Sequence, residues 1–419
     1  MTCEKIAEGM WWTGSNVYTQ ELFEGIWPIP NGVSINSYIV QGEKTALIDL
    51  VKAGGGPSSE NILAQLKSIG IDVKKIDYLI LNHLEPDHTG YVATFHELNP
   101  GIQILASEKG VPLVKAFYGI SEGVLAVKDG EELDLGKGKV LQFFYAPNVH
   151  WPETMVTYEK SNKILFSCDA FGSFGALKGY VFDDQVPPED KEFWEAETLR
   201  YYANIVATFS QSVLNAIKKL GGLDIKVIAP SHGLIWRKNP GKILADYVRY
   251  ANYMSDYQEP EITVIWGSMY GNTETIMRAV LRGIAKEGVE VSVHKVPETD
   301  ASFVLADAWK SAGLVIAMPT YEYSIFPPMA YILDLMKLKH FWHKKVLRVG
   351  SFGWVGGAQK HYVEKTDKMF WDCVGLIEYQ GAPKAEDLEK AEELGQELAK
   401  QVKAIPAKNN KFSLNEIMK

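Results

Sequence analysis

The sequence predicts an α/β protein with two domains, in which an α/β or α+β sandwich precedes a doubly wound parallel sheet. A chain of 419 residues is too long for one typical core, and 46% hydrophobic with 23% charged residues is ordinary for a globular protein. Short apolar runs alternate with turn-rich stretches at first, whereas strand and helix patterns alternate regularly in the last third. A polar, proline-containing stretch separates them, so we expect domains at 1–257 and 258–405 and a tail at 406–419.

The first domain contains several apolar segments that are short enough to be strands. They lie at residues 37–40, 45–51, 78–81, 102–106, 141–145, 155–159, 163–167 and 226–229. Residues 61–69 repeat apolar side chains at helical spacing, and residues 190–219, which have no internal break, predict one long helix. Some strands follow one another as hairpins and others are separated by helices, which is why we expect a sandwich.

The second domain repeats a strand–helix unit. Strands are predicted at 261–266, 291–296, 314–318 and 345–350, an amphipathic helix at 274–286, and a closing helix from about Glu386. Regular alternation of this kind indicates a doubly wound parallel sheet, whose ligands bind at the carboxyl ends of the strands.

Charge and cysteine content exclude several classes of protein. The net charge of −9 argues against a nucleic-acid binder, which needs clustered Lys and Arg. Cys3, Cys168 and Cys373 are odd in number and far apart, so we expect reduced thiols and neither a zinc ribbon nor a rubredoxin-type site. The N-terminus has no signal-peptide core and no segment is long enough to span a membrane, so we expect a cytoplasmic protein.

Groups that can bind metal follow four of the predicted strands. The segment NHLEPDH, residues 82–88, directly follows an apolar strand, and because Pro86 interrupts a helix we expect a loop there. Further candidates end the segments FFYAPNVH, KILFSCD and KVIAPSH. The candidate ligands, and therefore the candidate catalytic residues, are His83, Glu85, Asp87, His88, His150, Asp169 and His232.

The ligand types indicate a pair of metal ions. Seven imidazole and carboxylate groups are too many for one tetrahedral zinc ion, but they suit two metals about 3.5–4 Å apart. Iron accepts this mixed nitrogen and oxygen set and keeps positions open for dioxygen chemistry. Asp169 stands alone after its strand and is the natural bridge, whereas neighbouring ligands could close the site without His88.

A second group of candidate residues lies at three strand ends of the second domain. WGSMYGNTE, residues 266–274, opens a helix with hydroxyl and backbone N–H groups that suit a phosphate dianion. Aromatic side chains at the two later strand ends can stack on a flat ring. The candidate cofactor-binding residues are Ser268, Met269, Tyr270, Gly271, Asn272, Thr273, Pro319, Thr320, Tyr321, Glu322, Tyr323, Ser351, Phe352, Gly353, Trp354 and Gly356.

These motifs resemble those of a known family. The metal motif resembles the metallo-β-lactamase pattern, except that Glu85 stands where that pattern has its second His, and the helix-opening loop resembles the flavodoxin phosphate loop that binds FMN. Together they resemble the flavodiiron family, which implies a metallo-β-lactamase-like αββα sandwich followed by a flavodoxin-like domain. The family pattern implies one iron on His83, Glu85, His150 and Asp169, and a second iron on Asp87, His88, Asp169 and His232.

The resemblance also implies an activity and partners. It implies FMN and two iron ions as cofactors, and reduction of dioxygen to water or of nitric oxide to nitrous oxide. Two ferrous ions and a reduced flavin hold the four electrons that dioxygen requires. It further implies a head-to-tail homodimer or a dimer of dimers, and rubredoxin or reduced coenzyme F420 as the electron donor. The sequence leaves the gas and the donor open, and we expect no fused rubredoxin or flavin reductase.

Two other functions and two further residues stay open at this point. The chain could be a zinc-dependent β-lactamase-like hydrolase fused to a flavodoxin, or a non-catalytic flavin electron carrier. Trp151 could form a wall of the gas pocket, because it directly follows His150. Tyr202 could donate a hydrogen bond at the iron site, although for both residues an ordinary core position is an equally good explanation.

Overall fold

The structure is a computed structural model that describes residues 2–18, 22–51, 58–255 and 257–405. It divides into two compact units. The first contains the described residues up to Tyr201 together with Gln211–Tyr247, and the second contains Tyr202–Ser210 and the described residues from Val248 onward. The boundary after residue 257 stays a prediction, and the tail at 406–419 lies outside the described residues. Within the described residues, no helix has both the length and the apolar character that a membrane crossing requires.

A mixed sheet of seven strands forms one half of the first unit. In spatial order its strands are β1 Glu4–Ala7, β2 Met10–Val17, β3 Val33–Gln41, β4 Thr45–Ile48, β5 Tyr78–Ile80, β6 Gln103–Ser107 and β7 Val124–Val127. Pairing is antiparallel from β1 to β4 and parallel from β4 to β7. The sequence patterns did not predict β1, β2 or β7. All eight residues of β2 are buried or half-buried, without the alternation that marks a strand.

A second sheet of five strands packs against the first. Its strands are β8 Glu132–Asp134, β9 Val140–Tyr145, β10 Met155–Glu159, β11 Ile164–Cys168 and β12 Val227–Pro230, in the spatial order β12, β11, β10, β9, β8. Only β11 and β12 run parallel. The core between the sheets joins side chains such as Ile48 and Ile80 of the first sheet to Met155 and Phe166 of the second. Burial of apolar surface from both sheets stabilises the sandwich.

Helices cover the sheets. Those that begin before residue 250 are α1 Ser58–Ser68, α2 Pro86–Thr89, α3 Val92–Leu98, α4 Val111–Tyr118, α5 Lys191–Tyr201, α6 Ser210–Leu220 and α7 Pro240–Asn252. The first residue of α6 and the end of α7 from Val248 belong to the second unit. Ile62 and Leu66 of α1 pack on Leu79 and Ile104 of the seven-stranded sheet. The α/β class and the αββα sandwich are therefore confirmed.

The prediction of one long helix at 190–219 was wrong. A π-helical turn at Tyr202–Val206 and a 3-10 turn at Ala207–Phe209 separate α5 from α6. Every residue of the π turn is buried, so tertiary packing rather than a Gly or Pro breaks the helix. The interruption changes which tyrosine side chain reaches which neighbour.

A parallel sheet of five strands forms the centre of the second unit. Its strands are β13 Glu259–Trp266, β14 Val291–Lys295, β15 Ser311–Ala317, β18 Lys345–Phe352 and β19 Asp372–Gln380, in the order β14, β13, β15, β18, β19, and a small hairpin pairs β16 Thr320–Tyr321 with β17 Ser324–Ile325. Strand order reverses at β13, and this reversal opens a crevice at the carboxyl ends of β13 and β15. The flavodoxin-like doubly wound sheet is confirmed.

Five helices flank this sheet. They are α8 Asn272–Ala285, α9 Ala301–Lys310, α10 Pro327–Leu338, α11 Ala358–Thr366 and α12 Ala385–Lys403. Helices α8 and α12 pack so closely that a Cβ atom on Gly395 would lie 2.3 Å from the carbonyl oxygen of Val280. This close packing fixes α8, whose first turn faces the crevice.

Candidate metal centre and cofactor pocket

All seven predicted ligands meet at one edge of the first unit. Potential ligand atoms of His83, Glu85, His150 and Asp169 lie within 4.8 Å of one another, as do those of Asp87, His88 and His232. We call His83, Glu85 and His150 the His83 group, and Asp87, His88 and His232 the His88 group. Sequence reasoning therefore identified the residues that converge, and their role as ligands stays a prediction.

The carboxylate of Asp169 lies between the two groups. Its Oδ1 atom is 3.0 Å from His88 Nε2 and 3.3 Å from His232 Nε2, and its Oδ2 atom is 3.5 Å from His83 Nε2 and 3.6 Å from His150 Nε2. Each oxygen thus faces a different pair of imidazoles. A carboxylate with this placement can bridge two cations.

Strand ends position these side chains. His83 follows β5, Asp169 follows β11 and His232 follows β12, as the sequence predicts. The loop expected around Pro86 was wrong, because Pro86–Thr89 forms one helical turn, α2, with the proline at its first position. A proline is tolerated there, since the first helical N–H has no partner in the helix.

Two imidazole rings are oriented through their other nitrogen. His83 Nδ1 donates to Glu153 Oε1 at 2.7 Å, and His232 Nδ1 donates to the carbonyl oxygen of Ser34 at 2.8 Å. In both rings the Nε2 lone pair then faces the carboxylates, as ligation of a metal requires. Glu153 is a residue that sequence reasoning missed. It stands in the turn WPET between His150 and β10, and nothing in that pattern marks it as buried.

The unpaired atoms of the cluster fit a metal. Both carboxylate oxygens of Asp87, Oδ2 of Asp169 and Nε2 of His232 are buried, and each lacks a hydrogen-bond partner among the described residues. Buried acceptors without partners are costly, and cations satisfy them. Cys168 is also close enough to contribute a ligand atom. Burial raises the pKa of its thiol well above the usual range, which favours the nitrogen and oxygen ligands.

Electrostatics of the cluster favour bound positive charge. Burial disfavours a charged ring at His232, yet Asp169 and Asp87 raise the pKa of His232 to about 10. Burial disfavours a charged carboxylate at Glu85, yet His150 and His83 lower the pKa of Glu85 to about 2. The Glu85 carboxylate is therefore ionised at neutral pH, and a bound metal would replace the proton on the His232 ring.

An apolar pocket of about 230 Å³ borders the cluster. Glu85 and Asp87 of the cluster are among its lining residues. Its other walls are Val17, Leu22, Phe23, Glu24, Gly25, Ile29, Val33, Ile35 and Pro86. The Phe23 ring is 5.6 Å from that of His232, and the Trp151 ring is 4.9 Å from that of His83, so aromatic rings enclose both groups. Sequence reasoning missed Phe23, because a single aromatic in a turn carries no signal.

Tyr201 is the tyrosine at the cluster. Its hydroxyl donates to Asp169 Oδ1 at 3.0 Å, and its ring packs on His232. The Tyr202 hydroxyl instead lies 2.9 Å from Ser210 Oγ, and its ring packs among aromatic residues of the second unit. The hypothesis that assigned a hydrogen bond at the metal site to Tyr202 was therefore wrong by one residue.

A second pocket, of about 280 Å³, lies at the carboxyl ends of the parallel strands. Thirteen predicted cofactor-binding residues line it: Ser268, Met269, Tyr270, Asn272, Thr273, Pro319, Thr320, Tyr321, Glu322, Ser351, Phe352, Gly353 and Trp354. Gly381 also lines it and was not predicted. The predicted residues Gly271, Tyr323 and Gly356 are not among the lining residues. Gly271 and Tyr323 contact residues that are: the Gly271 N–H donates to Ser268 Oγ at 2.9 Å, and Trp354 Nε1 donates to the Tyr323 hydroxyl at 3.3 Å.

The second pocket fits a phosphorylated planar cofactor. Helix α8 begins at Asn272, so its free N–H groups face a turn of hydroxyl side chains. Tyr270 is 90% exposed and Trp354 is 73% exposed, so the aromatic rings at the rim are available for stacking. A Cβ on Gly357 would lie 2.1 Å from the carbonyl oxygen of Tyr323, so two lining loops meet there in close backbone contact.

Comparison with known proteins agrees with both sites. Residues 33–233 match the family described as "ODP family beta lactamase", and residues 264–395 match "Flavodoxin". The chain is 33% identical over 404 residues to a nitric oxide reductase of Moorella thermoacetica, and the match covers 95% of this chain and 98% of that protein.

Solved structures show the same architecture over nearly the whole chain. Rubredoxin oxygen:oxidoreductase from Desulfovibrio gigas is 30% identical with a TM-score of 0.90, covering 97% of this chain and 100% of that one. The flavodiiron protein of Giardia intestinalis is 28% identical with a TM-score of 0.89, covering 97% of this chain and 98% of that one.

Fold and sites define a class of protein, a two-domain metalloflavoprotein with a β-lactamase-like metal-binding domain and a flavodoxin domain. The relatives named above have the same two domains and match nearly the whole chain. The chain belongs to the flavodiiron family.

Proposed function

We propose that this protein is an oxidoreductase that reduces dioxygen to water or nitric oxide to nitrous oxide, with two iron ions and FMN as cofactors. The placement of Asp169 carries the proposal, because its two oxygens face two separate groups of metal-binding side chains. When bound, the iron pair would supply the gas-binding positions and two electrons, and FMN would supply two more. The named activities of the relatives support both gases.

The chain's own residues perform three tasks in this proposal. The His83 group would hold one iron ion and the His88 group the other, with Asp169 shared between them. Apolar side chains such as Phe23 and Ile29 exclude water from the pocket beside Glu85, which suits a small uncharged substrate. The turn before α8 would hold the FMN phosphate, and Trp354 and Tyr323, whose rings contact each other, would offer aromatic surface to its ring.

We further propose the partners that the sequence suggested. A homodimer would cover the exposed aromatic rim of the flavin pocket, since Tyr270, Tyr323 and Trp354 are too exposed to be core residues. Rubredoxin is one candidate electron donor, as the name of the Desulfovibrio gigas relative says of that protein, and reduced coenzyme F420 is the other. Cys3, Cys168 and Cys373 form no disulfide, which is consistent with a cytoplasmic, oxygen- or nitric-oxide-scavenging role.

Anaerobic purification followed by gas consumption tests the proposal. Protein from iron-replete cells is analysed for iron, zinc and FMN, is reduced chemically, and is mixed with dioxygen or nitric oxide at an electrode. We expect two iron ions and one FMN per chain and catalytic loss of at least one gas. Two zinc ions without iron would point to the hydrolase, and intact cofactors without gas consumption would point to the electron carrier.

A matched pair of variants separates the two sites. Asp169→Asn removes the charge that faces both groups, so we expect loss of iron and of gas consumption while FMN stays bound. Thr273→Val removes a hydroxyl from the turn before α8, so we expect weaker FMN binding with iron retained. Retention of both iron ions by the Asp169→Asn variant would contradict the bridging role.

A further inference from the structure

The two groups of ligands carry equal charge. Each group has one carboxylate of its own and two imidazoles, and the two share Asp169. The ligands themselves therefore give no reason for one iron to be oxidised more easily than the other. Any difference must come from the residues that the ligands contact.

Within the part of the chain that the structure describes, a carboxylate outside the ligand set hydrogen-bonds to a ligand ring in the His83 group and to none in the His88 group. Glu153 is 3% exposed, and its Oε1 accepts from His83 Nδ1 at 2.7 Å and from the Leu84 N–H at 3.1 Å. Ser107 Oγ donates to the Glu153 carbonyl at 2.6 Å and fixes this turn. In the His88 group, His232 donates to a neutral carbonyl, and His88 Nδ1 has no hydrogen-bond partner among the described residues.

Asp49 is a second buried carboxylate near the cluster, and it interacts electrostatically with His88. It accepts from Asn82 N at 2.8 Å, Asn82 Nδ2 at 3.1 Å and Ser231 Oγ at 3.4 Å, so it lacks the direct hydrogen bond to a ligand ring by which Glu153 acts. Tyr201 donates to Asp169 Oδ1, the oxygen that faces the His88 group, and so withdraws electron density from that side. The hydrogen bond from His83 to Glu153 and the hydrogen bond from Tyr201 to Asp169 therefore both make the His83 group the more electron-rich of the two.

We propose that Glu153 is a positioning residue that makes the iron of the His83 group the harder one to reduce. A carboxylate on the far nitrogen raises the basicity of a ligand imidazole, and a more basic ligand favours the ferric over the ferrous ion. With two iron ions bound, the iron held by the His88 group would be the easier one to reduce and the iron held by the His83 group the harder one. The inference rests on the proposed function, because it requires two bound iron ions.

A redox titration of the iron-loaded, FMN-containing protein tests the assignment. Mössbauer spectra count ferric and ferrous ions at each potential, and the mixed-valent signal is followed by electron paramagnetic resonance. Glu153→Gln keeps the size of the side chain and removes its charge, so it should raise the second reduction potential and leave the first nearly unchanged. We expect the equilibrium constant for forming the mixed-valent state to fall about tenfold, which is about 59 mV for a one-electron couple.

Control variants separate tuning from simple disorder. Ser107→Ala loosens the same turn without removing a charge, so both potentials should stay within the error of wild type. Glu153→Asp keeps the charge but shortens its reach to His83, so it should shift the second potential in the same direction as Glu153→Gln. Loss of iron from both Glu153 variants would overturn the proposal in favour of a purely structural role.

The outcomes also distinguish this inference from the proposed function. If the potential range of the mixed-valent state is wider or unchanged in Glu153→Gln, the assignment is refuted. The proposed function still stands in that case, provided that the variant keeps its iron and consumes gas. Wild-type protein without two iron ions would refute both.

Discussion

The hydrogen bond between Tyr201 and Asp169 predicts that one of two adjacent tyrosines matters for iron binding. The Tyr201 hydroxyl is fully buried and donates at 3.0 Å to the carboxylate that faces both ligand groups. A hydrogen bond to a charged acceptor contributes about 1.5–3 kcal/mol. At 1.4 kcal/mol for each factor of ten, Tyr201→Phe should weaken iron retention roughly 10- to 100-fold.

Chelator competition measures this effect. Reduced protein is incubated anaerobically with a ferrous chelator, and iron release is followed by absorbance. Tyr202→Phe is the matched control, since it also deletes one buried hydroxyl, but that hydroxyl lies 2.9 Å from Ser210 Oγ. We expect its iron retention to equal that of wild type. Equal iron loss from both variants, or none from Tyr201→Phe, would refute the reasoning.

Three further predictions follow from packing and from the ligand set. Gly395→Ala places a Cβ 2.3 Å from a backbone oxygen of α8, so it should destabilise the second unit by about 2 kcal/mol. The temperature of FMN release should fall accordingly. Gly241→Ala is the control and should leave that temperature unchanged, because its Cβ would have only an ordinary 3.5 Å contact. Removal of metal with a chelator should lower the unfolding temperature of the first unit and leave FMN release unchanged, because the buried carboxylates lose their cations; an unchanged unfolding temperature would contradict a metal-filled site. Glu85→His should raise the ratio of bound zinc to bound iron in metal analysis, because it restores a nitrogen-rich ligand set, and an unaltered ratio would show that Glu85 does not select the metal.

The convergence of the seven candidate ligands could be predicted because they obey a rule about strand ends. Short apolar strands are recognisable from composition, and the polar residue that follows such a strand lies at a shared edge of the sheet. Asp169 and His232 follow the parallel strands β11 and β12, so their convergence follows from the topology alone. The same rule predicted the cofactor pocket at the ends of β13, β15 and β18.

The residues that support the ligands could not be predicted in the same way. Glu153, Tyr201 and Asp49 act by contacts over long sequence separations, and each belongs to a residue type that is common on surfaces or in cores. The tyrosine assignment failed because a helical pattern does not reveal a π turn. Tyr201 is the last residue of α5, and the turn that begins at Tyr202 directs the next side chain to Ser210 instead.

The two sites depend on their cofactors in different ways. At the metal centre, buried charges such as Asp87 and Asp169 have unpaired oxygens, so folding of that edge is costly without a cation. In the cofactor pocket the N–H groups and hydroxyls that would hold a phosphate can also be satisfied by water, and Trp354 and Tyr270 are open to solvent. The second unit can therefore form before FMN binds, whereas the first unit should gain further stability when metal binds. Iron supply rather than flavin supply should consequently limit how much of this protein reaches its active form.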